Sequence, residues 1–345
     1  MPDVPPPPGP EATPRLDAPI ALGPSEEDLA VRGELWAWIR VIGGAILFAL
    51  VLRACAFEAY RIPSTSMENT LLVGDFVLVS KLHYGPRLFG RRWPGFDDVD
   101  RGDVVVFHYP PGLEEPLERR TPYIKRVVGL PGDTVSIIDK HVLVGDDALP
   151  LPREGRQYWE VVHTGPITAD TLAAIGIDGR VERLMRGAWL VEATTSQADR
   201  LRGLRAVSEV RPLVRPMGDG SASFPGAARF SLDNYGPIAV PKRGQTIPLT
   251  DWTWPVVRGV IERFEGHTAE RTAAGYLIDG RPADEYTFVQ DYYFVLGDNR
   301  DDSADSRTWG FVPRDHLIGK AVLIYFSWDD AAGAPRWRHL GRRVR

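Results

Sequence analysis

The sequence predicts a mainly β protein: an antiparallel β domain, interrupted by an α+β insertion and preceded by a single transmembrane helix. Three observations lead there. Short β-branched and aromatic runs, bounded by Gly, Pro or Asp, recur on both sides of a long central block. The 34 glycines and 30 prolines among 345 residues ask for many turns, which suits strands better than a helical bundle. A single long apolar segment stands near the N-terminus.

Residues 1–34 carry PDVPPPPGP and stay proline-rich and acidic, with almost no aliphatic runs. Such a stretch cannot bury enough surface to offset its ordering entropy, so a disordered tail is expected. Residues 35–57 follow, LWAWIRVIGGAILFALVLRACAF. The uninterrupted apolar run, Val41–Leu52, has a length that suits a buried helix as well as a membrane one. With Arg40 and Arg53 snorkelling to opposite interfaces, the whole segment spans a hydrocarbon layer of about 30 Å. Trp36 and Trp38 fall where an interfacial aromatic belt is expected. A cleaved leader fits less well, because the segment starts late and no A-x-A site follows it. Arg32 and Arg40 on one side against Arg53 and Arg61 on the other leave the orientation undecided by charge.

Residues 58–140 form the first part of the β domain and 286–330 the second. FVLVSKL, GDVVVFHY, YIKRVVGL, DTVSIIDKHVLVG, YYFVLGD and KAVLIYFSW are its predicted strands. Between them, 141–285 reads as an insertion, with helical spacing in SQADRLRGL and WPVVRGVIERF. DNYGPIAVPKRGQTIPL reads as a strand pair joined by a turn. Residues 331–345 form a basic C-terminal tail, in which RWRHLGRRVR holds five arginines and no acid.

Hydrophobic residues make up 43 %, enough for an ordinary core, and a net charge of −5 argues against nucleic acid as the main partner. The single cysteine, Cys55, excludes an intrachain disulfide and leaves the redox compartment open. The sequence has no G-x-S-x-G elbow, no H-E-x-x-H zinc helix and no phosphate loop. Its seven histidines are scattered, and His108 reads as a strand residue. The loop DNRDDSADSR fails as an EF-hand, because Ser306 and Val312 stand where Gly and Glu are needed.

Serine with lysine remains. A serine hydroxyl needs a base within hydrogen-bond reach, and lysine serves only when neutral. Burial disfavours the ammonium and can lower its pKa by several units. Lys125 lies between Tyr123–Ile124 and Val127–Val128 on a predicted strand. The pattern leaves open whether it faces the core or solvent. Arg126 beside it points the opposite way, so one of the two is expected inside.

PSTSM with TLLVGD, then RGDVVVF, then YIKRVVGLPGD, then GDNRDDSADSRTWGFVP resemble, in order, the boxes of bacterial type I signal peptidases. The resemblance covers about Ile62–Ile138 and Asp291–Trp328, and the lysine in YIKR sets it apart from the endoplasmic-reticulum type. It implies a signal-peptidase-type β domain and a single-pass endopeptidase of the cytoplasmic (inner) membrane, with its catalytic domain on the periplasmic face. The substrates implied are signal peptides of exported preproteins, cut after small A-x-A-like residues and bound as an added strand. By match to the boxes, Ser66 is the nucleophile and Lys125 the general base. Ser64 joins the Ser66 backbone N–H in the oxyanion hole, Ser303 holds the lysine amine, and Asp305 and Arg307 brace the same loop.

The partners expected are therefore signal peptides and the lipid bilayer, with no nucleic acid, metal or cofactor, and the chain is expected to act as a monomer. Trp328 and Trp337 are candidates for an apolar rim dipping into lipid. Two departures from the family pattern flank the nucleophile: Thr65 stands where many members have glycine, and Asn69 where many have proline. A catalytically silent relative is disfavoured by the presence of Ser64, Ser66, Lys125 and Ser303 together. A self-cleaving serine–lysine repressor is disfavoured by the anchor and the lack of a basic DNA-binding domain.

Overall fold

The structure, a computed structural model, describes Gly9 and residues 26–88, 91–216, 223–226 and 230–345. Most of the proline-rich tail therefore lies outside the described residues. The chain divides into two compact units, Met1–Val51 and Leu52–Arg345.

Among the described residues the first unit holds one helix, α1 (Glu26–Cys55), whose last four residues are counted with the second unit. It starts nine residues ahead of Leu35, inside the expected tail. Its 22 residues from Glu34 to Cys55 are long and apolar enough to cross a membrane, about 33 Å at ~1.5 Å per residue. Leu35, Trp36, Ile46, Leu47 and Phe48 are all more than half exposed within the structure. A helix apolar all round and without protein cover suits hydrocarbon as its surrounding.

The second unit is β-rich. Along the chain run β1 (Phe57–Arg61), β2 (Asp75–Ser80), β3 (Val104–His108), β4 (Pro122–Gly129), β5 (Thr134–Ile138), β6 (His141–Val144) and β7 (Asp147–Leu149). After them come β8 (Arg156–His163), β9 (Val181–Met185), β10 (Ala188–Thr194), α2 (Thr195–Arg202) and β11 (Val207–Pro212). The remaining long elements are β12 (Tyr235–Ala239), α3 (Trp254–Phe264), β13 (Tyr292–Leu296) and β14 (Leu317–Asp329). The principal sheet is antiparallel, in the order β1-β2-β14-β3-β4-β13, with Val312–Pro313 beyond. Strands that are 240 residues apart in sequence thus lie side by side.

The block 141–285 is not one insertion. Its first strands, β6 and β7, continue a hairpin begun by β5, and β12 closes that sheet on the other side. Strands β8 to β11 form a separate antiparallel sheet, β9-β10-β8-β11, around a core of Trp159, Val161, Val191 and Leu201. α2 caps it, with the Thr194 hydroxyl accepting from Gln197 N–H and the Gln197 side chain accepting from Thr194 N–H. α3 belongs to the main core: its Trp254, Val257, Val260 and Ile261 are buried with Phe294 of β13 and Val135 of β5. This is the apolar face that its spacing predicts.

The strand pair expected at 233–249 is corrected. β12 pairs with β5, while Thr246–Pro248 pairs with Glu285–Thr287. Each run has the period of a strand, but register across a long gap is set by tertiary partners. The basic C-terminal segment is also no free tail. Ala334–Pro335 and Arg342–Arg343 both pair with β14, and Arg336 reaches Asp329 and the Trp328 carbonyl.

Candidate active site

Ser66 sits on the loop joining β1 to β2. The loop is tied at its base, with Ile62 N–H donating to the Asp75 carbonyl at 2.8 Å and Gly74 N–H to the Ile62 carbonyl at 3.0 Å. Met67 and Leu71 are fully buried beside Val77, Val79 and Val104. Burying the residue directly after Ser66 fixes the direction of the serine side chain, because neighbouring side chains cannot move independently of one backbone.

Lys125 and Arg126 are both inside, which corrects the expectation that only one is. They leave β4 toward opposite faces, as strand neighbours must. Lys125 is 3 % exposed and Arg126 8 %. Arginine can be buried here because Asp298 matches it with two bonds, Nε to Oδ1 at 2.8 Å and Nη2 to Oδ2 at 2.6 Å. Lys125 has no carboxylate partner among the described residues. Its Nζ donates to Ser66 Oγ at 2.6 Å and to the Ile124 carbonyl at 2.8 Å. Burial pulls its pKa down to about 8, against the opposing pull of the Asp305 and Asp298 carboxylates.

The structure thus brings Ser66 and Lys125 together. Ser64 Oγ lies 3.4 Å from Ser66 Oγ, on the exposed side of the loop. Among the described residues no group accepts the Ser66 backbone N–H. Asp305 and Arg307 form a buried pair, Nε to Oδ1 at 2.9 Å and Nη2 to Oδ2 at 2.9 Å, and Arg307 also donates to the Arg300 and Leu232 carbonyls. Burial would raise the Asp305 carboxyl; the Arg307 charge and the Gly297 N–H outweigh it and hold the group below its ordinary range. Ser303 is not brought into a hydrogen bond with Lys125. Its hydroxyl is buried and has no partner at hydrogen-bond geometry, although it stands near enough to Asp305 to help hold that carboxyl down.

Ser303 rests on Gly297. A Cβ added at Gly297 would stand 2.2 Å from Ser303 Oγ and 2.6 Å from the Ser66 carbonyl oxygen. Only glycine allows this approach of the 297–303 loop to Ser66. Asn299 N–H donates to that same Ser66 carbonyl at 3.1 Å, and Thr70 Oγ1 donates to Asp298 at 2.6 Å. Gly297, Asp298 and Asn299 lie in the box quoted above without having been singled out. The residues that complete the setting, Arg126 and Thr70, carry no local signal, because their partner is far along the chain.

Asp301, in the loop rejected above as an EF-hand, is fully engaged. Both its oxygens accept from Lys140 Nζ, at 2.7 and 2.6 Å, and one accepts from Tyr158 N–H. Lys140 reaches it from the two-residue turn between β5 and β6, where Asp139 and Lys140 both have positive φ. Thr65, a departure from the family pattern, donates to Asp302. Asn69, the other, has φ of 71°, a conformation closed to proline.

Two strand edges stay open on the strands next to Ser66 and Lys125. β1 pairs only with β2, and β13 covers β4 only from Arg126 onward, leaving one side of Pro122–Lys125 without a strand partner among the described residues. A recess of about 540 Å³ has Tyr60 of β1 and Pro122 of β4 in its wall.

A family model described as "Signal peptidase, peptidase S26" matches residues 35–174 and 265–328, more than half of the chain. Similar proteins include the signal peptidase I of Pseudomonas aeruginosa, 28 % identical over 86 % of this chain and 75 % of its own length. That of Aquifex aeolicus is 27 % identical over 82 % of this chain and 80 % of its own. The signal peptidase I of Rickettsia akari is 26 % identical over 90 % and 86 %. These likenesses, with the β domain and the single long apolar helix, define a peptidase that fits membrane anchoring. The chain belongs to the signal peptidase family, peptidase S26.

Proposed function

We propose that this protein is a membrane-anchored serine endopeptidase that removes N-terminal signal peptides from exported preproteins. The observation that carries this reading is the 2.6 Å contact between Ser66 Oγ and the buried Lys125 Nζ. A neutral amine there takes the serine proton as Oγ attacks the scissile carbonyl, then returns it to the leaving amine. The developing oxyanion accepts from the free Ser66 N–H and the Ser64 hydroxyl. As Ser66 moves onto substrate, the ammonium loses an acceptor. The unpartnered Ser303 hydroxyl supplies a replacement, and the Asp305–Arg307 pair holds that loop in place.

The open edges of β1 and β4 suit a substrate added as a strand, with small side chains one and three residues before the cut. α1 anchors the protein once in the cytoplasmic membrane, with the catalytic unit on the periplasmic side and the N-terminal tail inside. The test is cleavage of a preprotein in detergent by wild type, Ser66→Ala and Lys125→Ala. Both variants are expected to lose turnover; wild-type rates in either overturn the dyad.

A further inference from the structure

The residue that joins the β8–β11 sheet to the nucleophile loop is Arg156, the first residue of β8. It is 2 % exposed. Its Nη2 donates to Asn69 Oδ1 at 3.0 Å and to Asp178 Oδ1 at 2.6 Å. Its own backbone lies alongside Asn299, giving N–H to the Asp298 carbonyl and taking Arg300 N–H, each at 2.9 Å. One residue therefore grips both walls of the site: the 298–300 loop through its main chain and the Ser66 loop through its side chain.

Asn69 is the point where that grip acts. Three residues after Ser66, it holds a left-handed backbone, which asparagine tolerates better than most residues and which a bond to its side chain secures further. The Arg156 guanidinium supplies that security from outside the loop. Gly179 leaves space for it, since a Cβ there would stand 2.7 Å from Arg156 Nη1. A second bond from the same sheet, Asn299 Nδ2 to Glu192 Oε1 at 2.9 Å, steadies the residue whose N–H holds the Ser66 carbonyl.

We propose that Arg156 is a positioning residue for the nucleophile, acting through Asn69, so that the β8–β11 sheet is a working part of the active site. The proposal rests on Ser66 being the attacking group. Releasing Asn69 lets the loop relax, moves Oγ off the Lys125 amine and admits water beside that amine. Turnover falls, and because a better-solvated amine keeps its proton to higher pH, the acid limb of the rate profile moves upward. Substrate binding along the open strand edges is untouched.

The experiment is steady-state cleavage of a signal-peptide substrate by the full chain in detergent, against pH. Arg156→Met and Asn69→Ala are each expected to lower kcat about 10- to 100-fold, as small misplacements of reacting groups do, with KM within about twofold. Both should move the acid limb to higher pH. The double variant should be no worse than the poorer single, the signature of residues acting as one unit. Asn69→Asp, which keeps an acceptor and tolerates the left-handed backbone, should restore most of kcat. Arg211→Gln, on the surface of the same sheet, should behave as wild type. Wild-type kcat and limb in Arg156→Met, or losses that multiply in the double variant, overturn the proposal. Should Arg156→Met fail to fold, Asn69→Ala with wild-type kcat overturns it alone. Activity surviving in Ser66→Ala is a different result, which removes the dyad whatever Arg156 does.

Discussion

Arg126 and Asp298 meet in a buried two-pronged ion pair, with Thr70 of the loop that carries Ser66 bonded to the same carboxylate. Removing the arginine leaves an uncompensated buried charge, a loss of about 3–5 kcal/mol. Arg126→Leu is therefore expected to lower the thermal midpoint strongly. In the protein that still folds, the unbalanced Asp298 carboxylate favours the Lys125 ammonium, and the acid limb of kcat/KM moves to higher pH. A limb unmoved in folded Arg126→Leu would show that Asp298 does not act on the lysine.

With Lys125 as the proposed base, the pH dependence of the wild type follows from its burial. Its pKa of about 8 lies below the ordinary 10.5 because burial disfavours the charge. With a neutral base required, kcat/KM should fall about tenfold per pH unit below that value and level off above it. The stability sign follows from the same shift. The folded state burdens itself with a buried ammonium below about 8, and that cost disappears as pH rises from 8 toward 10.5. A flat rate profile from pH 6 to 9 would be incompatible with Lys125 as base.

Ser64 and Ser303 should separate cleanly. Ser64→Ala removes an exposed hydroxyl beside the oxyanion, and turnover is expected to drop ~10²–10³-fold with the thermal midpoint unchanged. Ser303→Ala removes a buried hydroxyl without a partner. Its stability should change by less than about 1 kcal/mol, while kcat falls. Unchanged kcat in Ser303→Ala would leave that serine a packing role alone.

Gly297→Ala tests the close approach of the two loops. The added Cβ meets the Ser66 carbonyl and Ser303, so one of them must shift, at about 1–3 kcal/mol. Cleavage should be lost well before folding is, as read by turnover alongside a thermal melt.

Orientation has its own measurement. Protease added to spheroplasts should digest the chain after Phe57 and spare the proline-rich segment. Digestion of the N-terminal segment instead would reverse the assignment.

Much of the fold is legible locally. Five of the six quoted strand segments each contain one observed strand, DTVSIIDKHVLVG contains a hairpin, and WPVVRGVIERF is α3 residue for residue. Alternation and 3.6-residue spacing are properties of neighbouring residues, so a single chain displays them. Ser66 and Lys125 were found by resemblance to a family, while composition and spacing left Lys125 undecided between inside and outside. The rest of the site is built from long-range pairs: Arg126 with Asp298, Lys140 with Asp301, Arg156 with Asn69. A buried arginine or lysine looks like a surface one until its partner is in place, which is why only one of Lys125 and Arg126 is expected inside from the sequence. The same reason hid the separate pairings of β12 and Thr246–Pro248, whose partners are strands elsewhere.

Because Asp298 is 172 residues beyond Arg126 and 228 beyond Thr70, the chain emerges with its serine and lysine long before the loop that seals them. At about 5–20 residues per second, synthesis delivers that loop roughly 10–35 s after Arg126. On the proposed mechanism, Ser66 gains its base only once that loop has docked, because an unburied lysine keeps its ordinary pKa and its proton. On that reading, the order of the chain postpones catalysis until synthesis is nearly complete.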